Sequence, residues 1–461
     1  MKTLLSPEKW VLDLYPYICS NSELKKLSNY IITAQTDTEI ILLHTITWSI
    51  FSFTKEEYND ILSNKKLMEY KIVIPEDFDE SEIANKVYLK RITPPSLPTY
   101  EYINGYVILT TTSCNARCFY CYESNLNKTE TMTKETAENL IQFMIKHRFG
   151  DQPLSIQWFG GEPLLNQRII DYIVDRLNEL EIPFTSTMIS NAFLLNEETI
   201  EKLEKWKLKS IQVTLDGIND DYNKAKNYVY TDVDAYLTVI NNIHNLLEKT
   251  NVSVSIRINA NTDNINNLYE DIKFLKEEFK DYLNKKLSIY VVPLFGYLDE
   301  TYEPINDFWN KLEALQEIVN VSPLNCCDTS LNKGTFKRER IDGYCMAYKG
   351  MGVVVTPKGI IAPCEHIKEE DYLGDIVNGI TNIDVIKKWQ YFDGNEIDFC
   401  KKNKCPYHPM CAKFYHCNTT TVCEIPEQKY LRLKKASDKL LRTKLFYDAK
   451  IEQMINNQTH S

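Results

Sequence analysis

Between residues 105 and 295, six apolar runs alternate with stretches whose apolar residues recur at helical spacing, and this alternation limits the folds open to the chain. The runs are Tyr106–Thr112, Leu154–Phe159, Phe184–Ser190, Ser210–Leu215, Val252–Ile258 and Leu287–Leu294, and each reads as a strand. The helical series are Leu140, Phe143 and Met144; Ile169, Ile173 and Leu177; Ile200, Leu203 and Trp206; Leu237, Ile240, Ile243 and Leu247; and Leu268, Ile272, Leu275 and Phe279. Six strands with intervening helices predict an α/β class: a parallel sheet with helices on one side, curved as a partial barrel or wound open. Reactive groups in such sheets gather beyond the carboxyl ends of the strands.

At that end of the first strand lies Ser113-Cys114-Asn115-Ala116-Arg117-Cys118-Phe119-Tyr120-Cys121, with cysteines at C-x-x-x-C-x-x-C spacing. Three thiolates so close in sequence can reach one metal centre, and a four-iron cubane held by them lacks a protein ligand on its fourth iron. By analogy with zinc, an open coordination position marks a catalytic rather than a structural centre. The second strand runs into Phe159-Gly160-Gly161-Glu162-Pro163. Paired glycines let backbone approach a ligand closely, and a carboxylate there can accept hydrogen bonds from an ammonium group. Ser190 and Asn191 end the third strand and Asp216 the fourth, while Arg257 and Asn259 lie on the fifth; each also suits a strand-end cap.

The chain has 461 residues, enough for two to four domains. Its 64 acidic and 53 basic side chains give a net charge of -11, which disfavours a nucleic-acid partner. Pro7 and Glu8 interrupt the N-terminus before a signal-peptide core can form, and no run of 18 apolar residues follows, so a cytoplasmic protein without a membrane partner is expected. Thirteen cysteines in that compartment point to metal ligands or catalytic groups rather than disulfides. Only Cys19 lies outside the first cluster and the segment Cys326–Cys423; it reads as a small buried hydrophobe.

The cysteine loop, with an aromatic residue directly before its third cysteine, resembles the cluster loop of the radical S-adenosylmethionine enzymes. Gly160-Gly161-Glu162-Pro163 looks like that family's motif for the amino group of S-adenosylmethionine, and Ser190-Asn191 resembles its ribose-contacting position. The resemblance implies a 4Fe-4S cluster on Cys114, Cys118 and Cys121. It further implies S-adenosylmethionine at the open iron, an external one-electron reductant of flavodoxin or ferredoxin type, and hydrogen abstraction by the 5′-deoxyadenosyl radical. Cys345, the Gly359 to Cys364 stretch, and then Cys400, Cys405, Cys411, Cys417 and Cys423 resemble the family's SPASM extension, which holds two auxiliary 4Fe-4S clusters. The match departs in spacing, with four residues between Cys400 and Cys405 and five between Cys411 and Cys417. Carried over by order, one auxiliary cluster takes Cys345, Cys364 and Cys417, with Cys326 or Cys327 as a fourth ligand; the other takes Cys400, Cys405, Cys411 and Cys423. A pair of zinc sites is the alternative. His408 and His416 lie among these cysteines and read as hydrogen-bond donors to a metal site rather than ligands. Glu365 follows Cys364, where sulfatase-maturating relatives carry a proton-accepting aspartate, and is the acid-base candidate beside a purely solvated reading.

Residues 1–92 read as a small α+β unit, with strands at Tyr30–Thr33, Glu39–Leu43 and Thr47–Phe53 and a capping-box helix from Thr54 to about Leu62. Arg91–Pro98 reads as its linker. Its placement resembles the winged-helix-like peptide-recognition modules of enzymes that modify ribosomally made peptides, which capture an extended leader at a sheet edge. The expected order is therefore a recognition domain over 1–92, a partial (β/α)6 TIM-like barrel over 105–295, a Cys-rich SPASM domain over 296–425 without strand-helix alternation, and a helical tail over 426–461. The resemblance implies a maturase that crosslinks a precursor peptide through a thioether or carbon-carbon bond. A formylglycine-generating sulfatase maturase, an RNA-modifying radical enzyme and a nonenzymatic iron-sulfur or zinc adaptor are the alternatives.

Overall fold

The computed structural model describes residues 1–16, 24–92, 100–121, 129–294, 305–319, 350, 352–365, 368–382, 384–385, 404–406, 408–410, 437 and 440. They form two compact units. The expectations for Cys19, Cys326, Cys327, Cys345, Cys400, Cys411, Cys417, Cys423 and His416 lie outside the described residues.

The first unit joins residues 1–92 with 404–406, 408–410, 437 and 440. Its elements are β1 (Lys2–Leu5), α1 (Lys9–Leu12), β2 (Lys25–Leu27), β3 (Ile31–Gln35), β4 (Glu39–His44), β5 (Ser49–Thr54), α2 (Lys55–Asn59), α3 (Lys65–Glu69), β6 (Val73–Pro75) and α4 (Ser81–Ile92). An antiparallel sheet runs β1-β5-β4-β3, and β2 pairs with β6. Two apolar clusters sandwich the central strands: Ile41, Leu43 and Ile50 lie with Leu440 on one side, and Leu42, Phe51 and Phe53 lie with Leu67 and Val73 on the other. The capping box forms, Thr54 Oγ1 accepting from the Glu57 amide at 3.2 Å, but α2 ends at Asn59 because a 3-10 turn over Ile61–Ser63 follows. Trp48 stands at φ 52° in the turn before β5, so that strand begins at Ser49 rather than Thr47. Arg91 belongs to α4, not to a linker. Its guanidinium donates to the carbonyls of Thr45, Ile46 and Pro409 and pairs with Glu8 at 2.9 Å.

The second unit begins with β7 (Gly105–Thr111), α5 (Lys134–His147), β8 (Leu154–Gly160), α6 (Gln167–Glu179), β9 (Phe184–Ser190), α7 (Glu197–Lys202) and β10 (Leu208–Thr214). It continues through α8 (Asn219–Lys226), α9 (Ala235–Lys249), β11 (Ser253–Ala260), α10 (Leu268–Glu278), β12 (Leu287–Pro293) and α11 (Ile305–Val319). Last come β13 (Gly352–Val355), β14 (Ile360–Ala362), β15 (Gly374–Asp375) and β16 (Gly379–Ile380). β7 to β12 lie side by side in chain order, all parallel. Because parallel crossovers are right-handed, an order that never reverses places every helix on one face. That face is apolar and sealed: Ile156, Trp158, Met188, Ile211, Val213, Val254 and Ile256 are all buried. The helix-free face is different. Gln157, Thr187, Gln212, Ser255, Arg257 and Ser288 alternate with those residues and are only half-buried.

Two expectations are corrected. Leu237 belongs to the expected apolar series of its helix but is 54% exposed at the start of α9. The region after 296, expected to lack strand-helix alternation, carries α11 and then β13, which adds parallel to β7, with β14, β15 and β16 following antiparallel. Helix α6 illustrates the packing, burying Ile169, Ile170, Ile173, Val174 and Leu177 along one stripe. Replacing Ile173 with alanine should cost about 2–5 kcal/mol, read as a lower urea midpoint at unchanged slope; a change under about 0.5 kcal/mol, the range of surface substitutions, would contradict this packing.

Candidate active site

The three-cysteine loop leaves β7 and is tied down from three sides by backbone. Glu162 N donates to Ser113 O at 2.9 Å and Gly161 N to Thr111 O at 3.0 Å, which fastens the turn after β8 to the loop. A side chain at Gly160 would place its Cβ 2.2 Å from Thr111 O, and one at Gly161 would lie 2.3 Å from Ser113 O. The glycine pair is thus required by the loop's own backbone, a closer partner than the ligand expected from sequence. From the other side Arg117 N donates to the carbonyl of Lys226 at 2.8 Å, and Val229 N donates to that of Asn115 at 2.9 Å. Thr112 N meets Glu130 O at 2.9 Å.

Two side-chain networks converge on this loop. In the first, the Glu162 carboxylate accepts from Ser190 Oγ at 2.9 Å, Asn191 N at 2.8 Å and Leu164 N at 3.1 Å. Glu162 is wholly buried, and burial pushes its carboxyl up to about 7 against those hydrogen bonds. Three of the roughly four lone-pair positions of the carboxylate are therefore taken by protein. Asn191 Nδ2 reaches on to Asn115 Oδ1 at 2.7 Å.

In the second network Asp216 and Lys226, both buried, form an ion pair at 3.0 Å. Tyr120 donates its hydroxyl to the Asp216 carboxylate and accepts from Lys226 Nζ at 2.7 Å. Asp216 Oδ1 also accepts from Asn259 N at 3.0 Å, and Arg257 Nε donates to Asn259 Oδ1 at 3.0 Å. Burial raises Tyr120 above the usual phenol range, Lys226 opposing and Asp216 adding to the effect. Burial alone would lower Lys226, but Asp216 and Tyr120 outweigh it and hold it above the ordinary lysine value. Every strand-end residue singled out in sequence thus belongs to one of these networks. Tyr120 is the aromatic residue before the third cysteine, but nothing in the sequence gives it this partner, and Lys226 carries no such signal because no local pattern marks a buried lysine ten positions after the fourth strand's aspartate.

Cys114, Cys118 and Cys121 are half-buried, and burial pushes the Cys114 thiol up to about 12. Among the described residues no three His, Cys, Asp or Glu side chains are gathered tightly enough to ring a single metal ion. What fits a cluster is the donor set, three thiols on one fastened loop, together with one orphan. Asn115 Nδ2 is buried beside Cys114 without a hydrogen-bond partner among the described residues, a costly state that a bound acceptor would relieve. Cys364 and Glu365 lie elsewhere. Ala362 of β14 pairs with Val354 of β13, which pairs with Val107 near the start of β7. At about 3.3 Å per residue, Cys364 lies roughly 20 Å from the cysteine loop along the strand direction, toward the opposite end of the sheet. There Cys364 Sγ donates to Glu365 Oε2 at 3.3 Å. Cys405 belongs to the first unit, its carbonyl accepting from His408 N at 3.0 Å.

Comparison with known proteins places this geometry. Residues 108–275 match the model of the Radical SAM superfamily and form a radical SAM domain. The radical SAM cyclopropyl synthase TigE of Paramaledivibacter caminithermalis is 26% identical over 50% of this chain and 49% of its own length. The antilisterial bacteriocin subtilosin biosynthesis protein AlbA of Bacillus subtilis is 21% identical over 66% of this chain and 65% of its own. The chain thus spans about half of the first of these relatives and just under two thirds of the second. Native anSMEcpe with bound AdoMet shares the fold with a TM-score of 0.56 at 17% identity, over 75% of this chain and 99% of that one. No helix among the described residues is long and apolar enough to cross a membrane.

Glu162 also yields a pH signature. Its folded-state value of about 7 lies above the ordinary 4.5, so the folded chain holds a proton that the unfolded chain has released. Its contribution is therefore complete below about 4.5 and lost as pH rises toward 7. Unfolding free energies measured across that range should fall more steeply in the wild type than in Glu162→Ala; parallel slopes would contradict the assignment.

Proposed function

We propose that this chain is a radical S-adenosylmethionine enzyme that modifies a ribosomally made precursor peptide, joining two of its residues through a thioether or carbon-carbon bond. The observation that carries the reading is the three-cysteine loop, held by backbone from β8 and α8 within the matched domain and flanked by the buried Asn115 Nδ2, which has no hydrogen-bond partner among the described residues. When bound, a 4Fe-4S cluster with one open iron together with S-adenosylmethionine supplies the 5′-deoxyadenosyl radical. Cys114, Cys118 and Cys121 hold that cluster, and Asn115 offers it a hydrogen bond. Gly160, Gly161, Glu162 and Pro163, with Ser190 and Asn191, shape the adjoining S-adenosylmethionine site chiefly by fixing backbone. Asp216, Arg257 and Asn259 complete its wall.

The helix-free face of the sheet suits a peptide substrate. Its positions on β7 and at the ends of β8 and β9 are apolar, with Val107, Leu109, Phe159 and Ile189 in one cluster, while Gln157, Thr187, Gln212, Ser255 and Ser288 carry hydroxyls and amides and Arg257 a formal charge. Such a surface orients peptide groups by hydrogen bonding while the helices on the other face exclude water. AlbA, named for bacteriocin biosynthesis, supports a peptide-derived product. Cys364 with Cys326 or Cys327, Cys345 and Cys417, and Cys400, Cys405, Cys411 and Cys423, would hold two auxiliary 4Fe-4S clusters in a SPASM-like arrangement, which would accept the electron left when the radical has taken one hydrogen atom and the new bond has formed with loss of a proton. Glu365, whose carboxylate accepts from Cys364 Sγ, would serve as the proton acceptor. The electron comes from a flavodoxin- or ferredoxin-type donor in a reducing cytoplasm.

The first unit serves as the leader-recognition module, an open antiparallel sheet offering edges for an added strand. Deleting residues 1–92 is a poor test of this role, because Leu440 packs into its core and Pro406 and Pro409 accept hydrogen bonds from Thr45 and Arg91. The whole chain should instead be coexpressed with any short peptide that a neighbouring reading frame encodes, with and without its leader, and the peptide weighed. A leader-dependent loss of two hydrogens is expected. Equal conversion without the leader would defeat the recognition role, and formylglycine in place of a crosslink would replace the peptide reading by the sulfatase-maturase one.

A further inference from the structure

Lys226 is the only buried lysine or arginine among the described residues. Moving an ammonium out of water costs several kcal/mol unless it is well partnered, so its position requires a reason. Both ends of the residue grip the cysteine loop. Its carbonyl accepts from Arg117 N, directly before Cys118, and its Nζ donates to the Tyr120 hydroxyl, directly before Cys121. The α8 helix stops at this residue because Asn227 turns left-handed at φ 46°, which directs the Lys226 carbonyl to the loop.

The charges around it do not cancel without it. Asp216 brings one buried carboxylate to Tyr120, Glu162 is buried on the other side of the loop, and Cys118 adds its own negative charge once deprotonated. Cys118 and Glu162 both interact electrostatically with the ammonium. A cluster on three thiolates gains a further negative charge on reduction, and in a dry site the nearest counter-charge decides how costly that electron is.

We propose that Lys226 is a positioning residue that sets the charge balance of the loop. Its ammonium offsets Asp216 and the thiolate of Cys118, and so keeps the cluster held by the loop reducible by a low-potential one-electron donor. The inference rests on the radical S-adenosylmethionine reading and adds to it a residue that touches neither the cysteines' sulfur nor the reacting atoms.

The test is a potentiometric titration of the reconstituted full chain, followed by the EPR signal that changes when S-adenosylmethionine is added. That response singles out the cluster with the open iron. Iron content of the wild type comes first: if it is nil, the functional reading itself fails. With iron in place, Lys226→Met should lower the reduced-to-oxidised ratio at a fixed potential at least about tenfold, equivalent to about 59 mV for one electron. Lys226→Arg should restore the wild-type ratio. Asp216→Asn, which removes the opposing carboxylate, should move the ratio the other way and decides between the outcomes if Lys226→Met does not take up iron. Unchanged potentials at full iron content would overturn the inference. Loss of iron from all three variants, Lys226→Arg included, would also overturn it, since the lysine would then only hold the loop in shape.

Discussion

The grip of three backbone segments on one short loop organises the second unit. Residues 111–121 carry three thiols whose negative charges repel once formed, and burial already disfavours ionising Cys114. A loop with that chemistry is stable only if its geometry is fixed by groups that do not depend on the metal. Here the turn after β8, the end of α8 and Glu130 ahead of α5 supply amide and carbonyl partners at 2.8–3.0 Å. Removing any one contact would still leave two sides fastened, whereas a side chain at Gly160 or Gly161 would collide with the loop itself.

That grip is possible because the strands lie in chain order. β7 and β8 are neighbours, so the turn after β8 emerges beside the cysteine loop, and β9 and β10 follow, bringing Asn191 and Asp216 to the same end. The same order leaves one face without helices. On that face an apolar cluster around Val107, Leu109 and Phe159 gives way, from β9 to β12, to half-buried hydroxyls, amides and one guanidinium. The sheet then continues beyond β7 through β13 and β14, which carries Cys364 and Glu365 toward the other end of the strands.

Much of this was legible in the sequence because it is local. Strand and helix periods in 105–294, the cysteine spacing and the Thr54–Glu57 cap each occupy one short window, and all six barrel strands fall within two residues of their expected limits at both ends. What escaped depends on long-range pairing. β13 to β16 are two to four residues long, too short for a periodic signal, and exist because β7 offers an edge. Lys226 has no local sequence signal, and its burial depends on Asp216 and Tyr120. Glu162 could be placed by its motif, but its three protein donors come from turns distant in sequence as well as next door.

The central claim is that Cys114, Cys118 and Cys121 together hold a cluster that breaks S-adenosylmethionine. The most direct measurement is 5′-deoxyadenosine released by the anaerobically reconstituted chain under dithionite, set beside Cys118→Ala prepared identically. The account predicts release by the wild type and only background from the variant, in step with the iron lost at this loop. Wild-type protein that retains its iron here yet releases no 5′-deoxyadenosine, or a variant that releases as much, would contradict it.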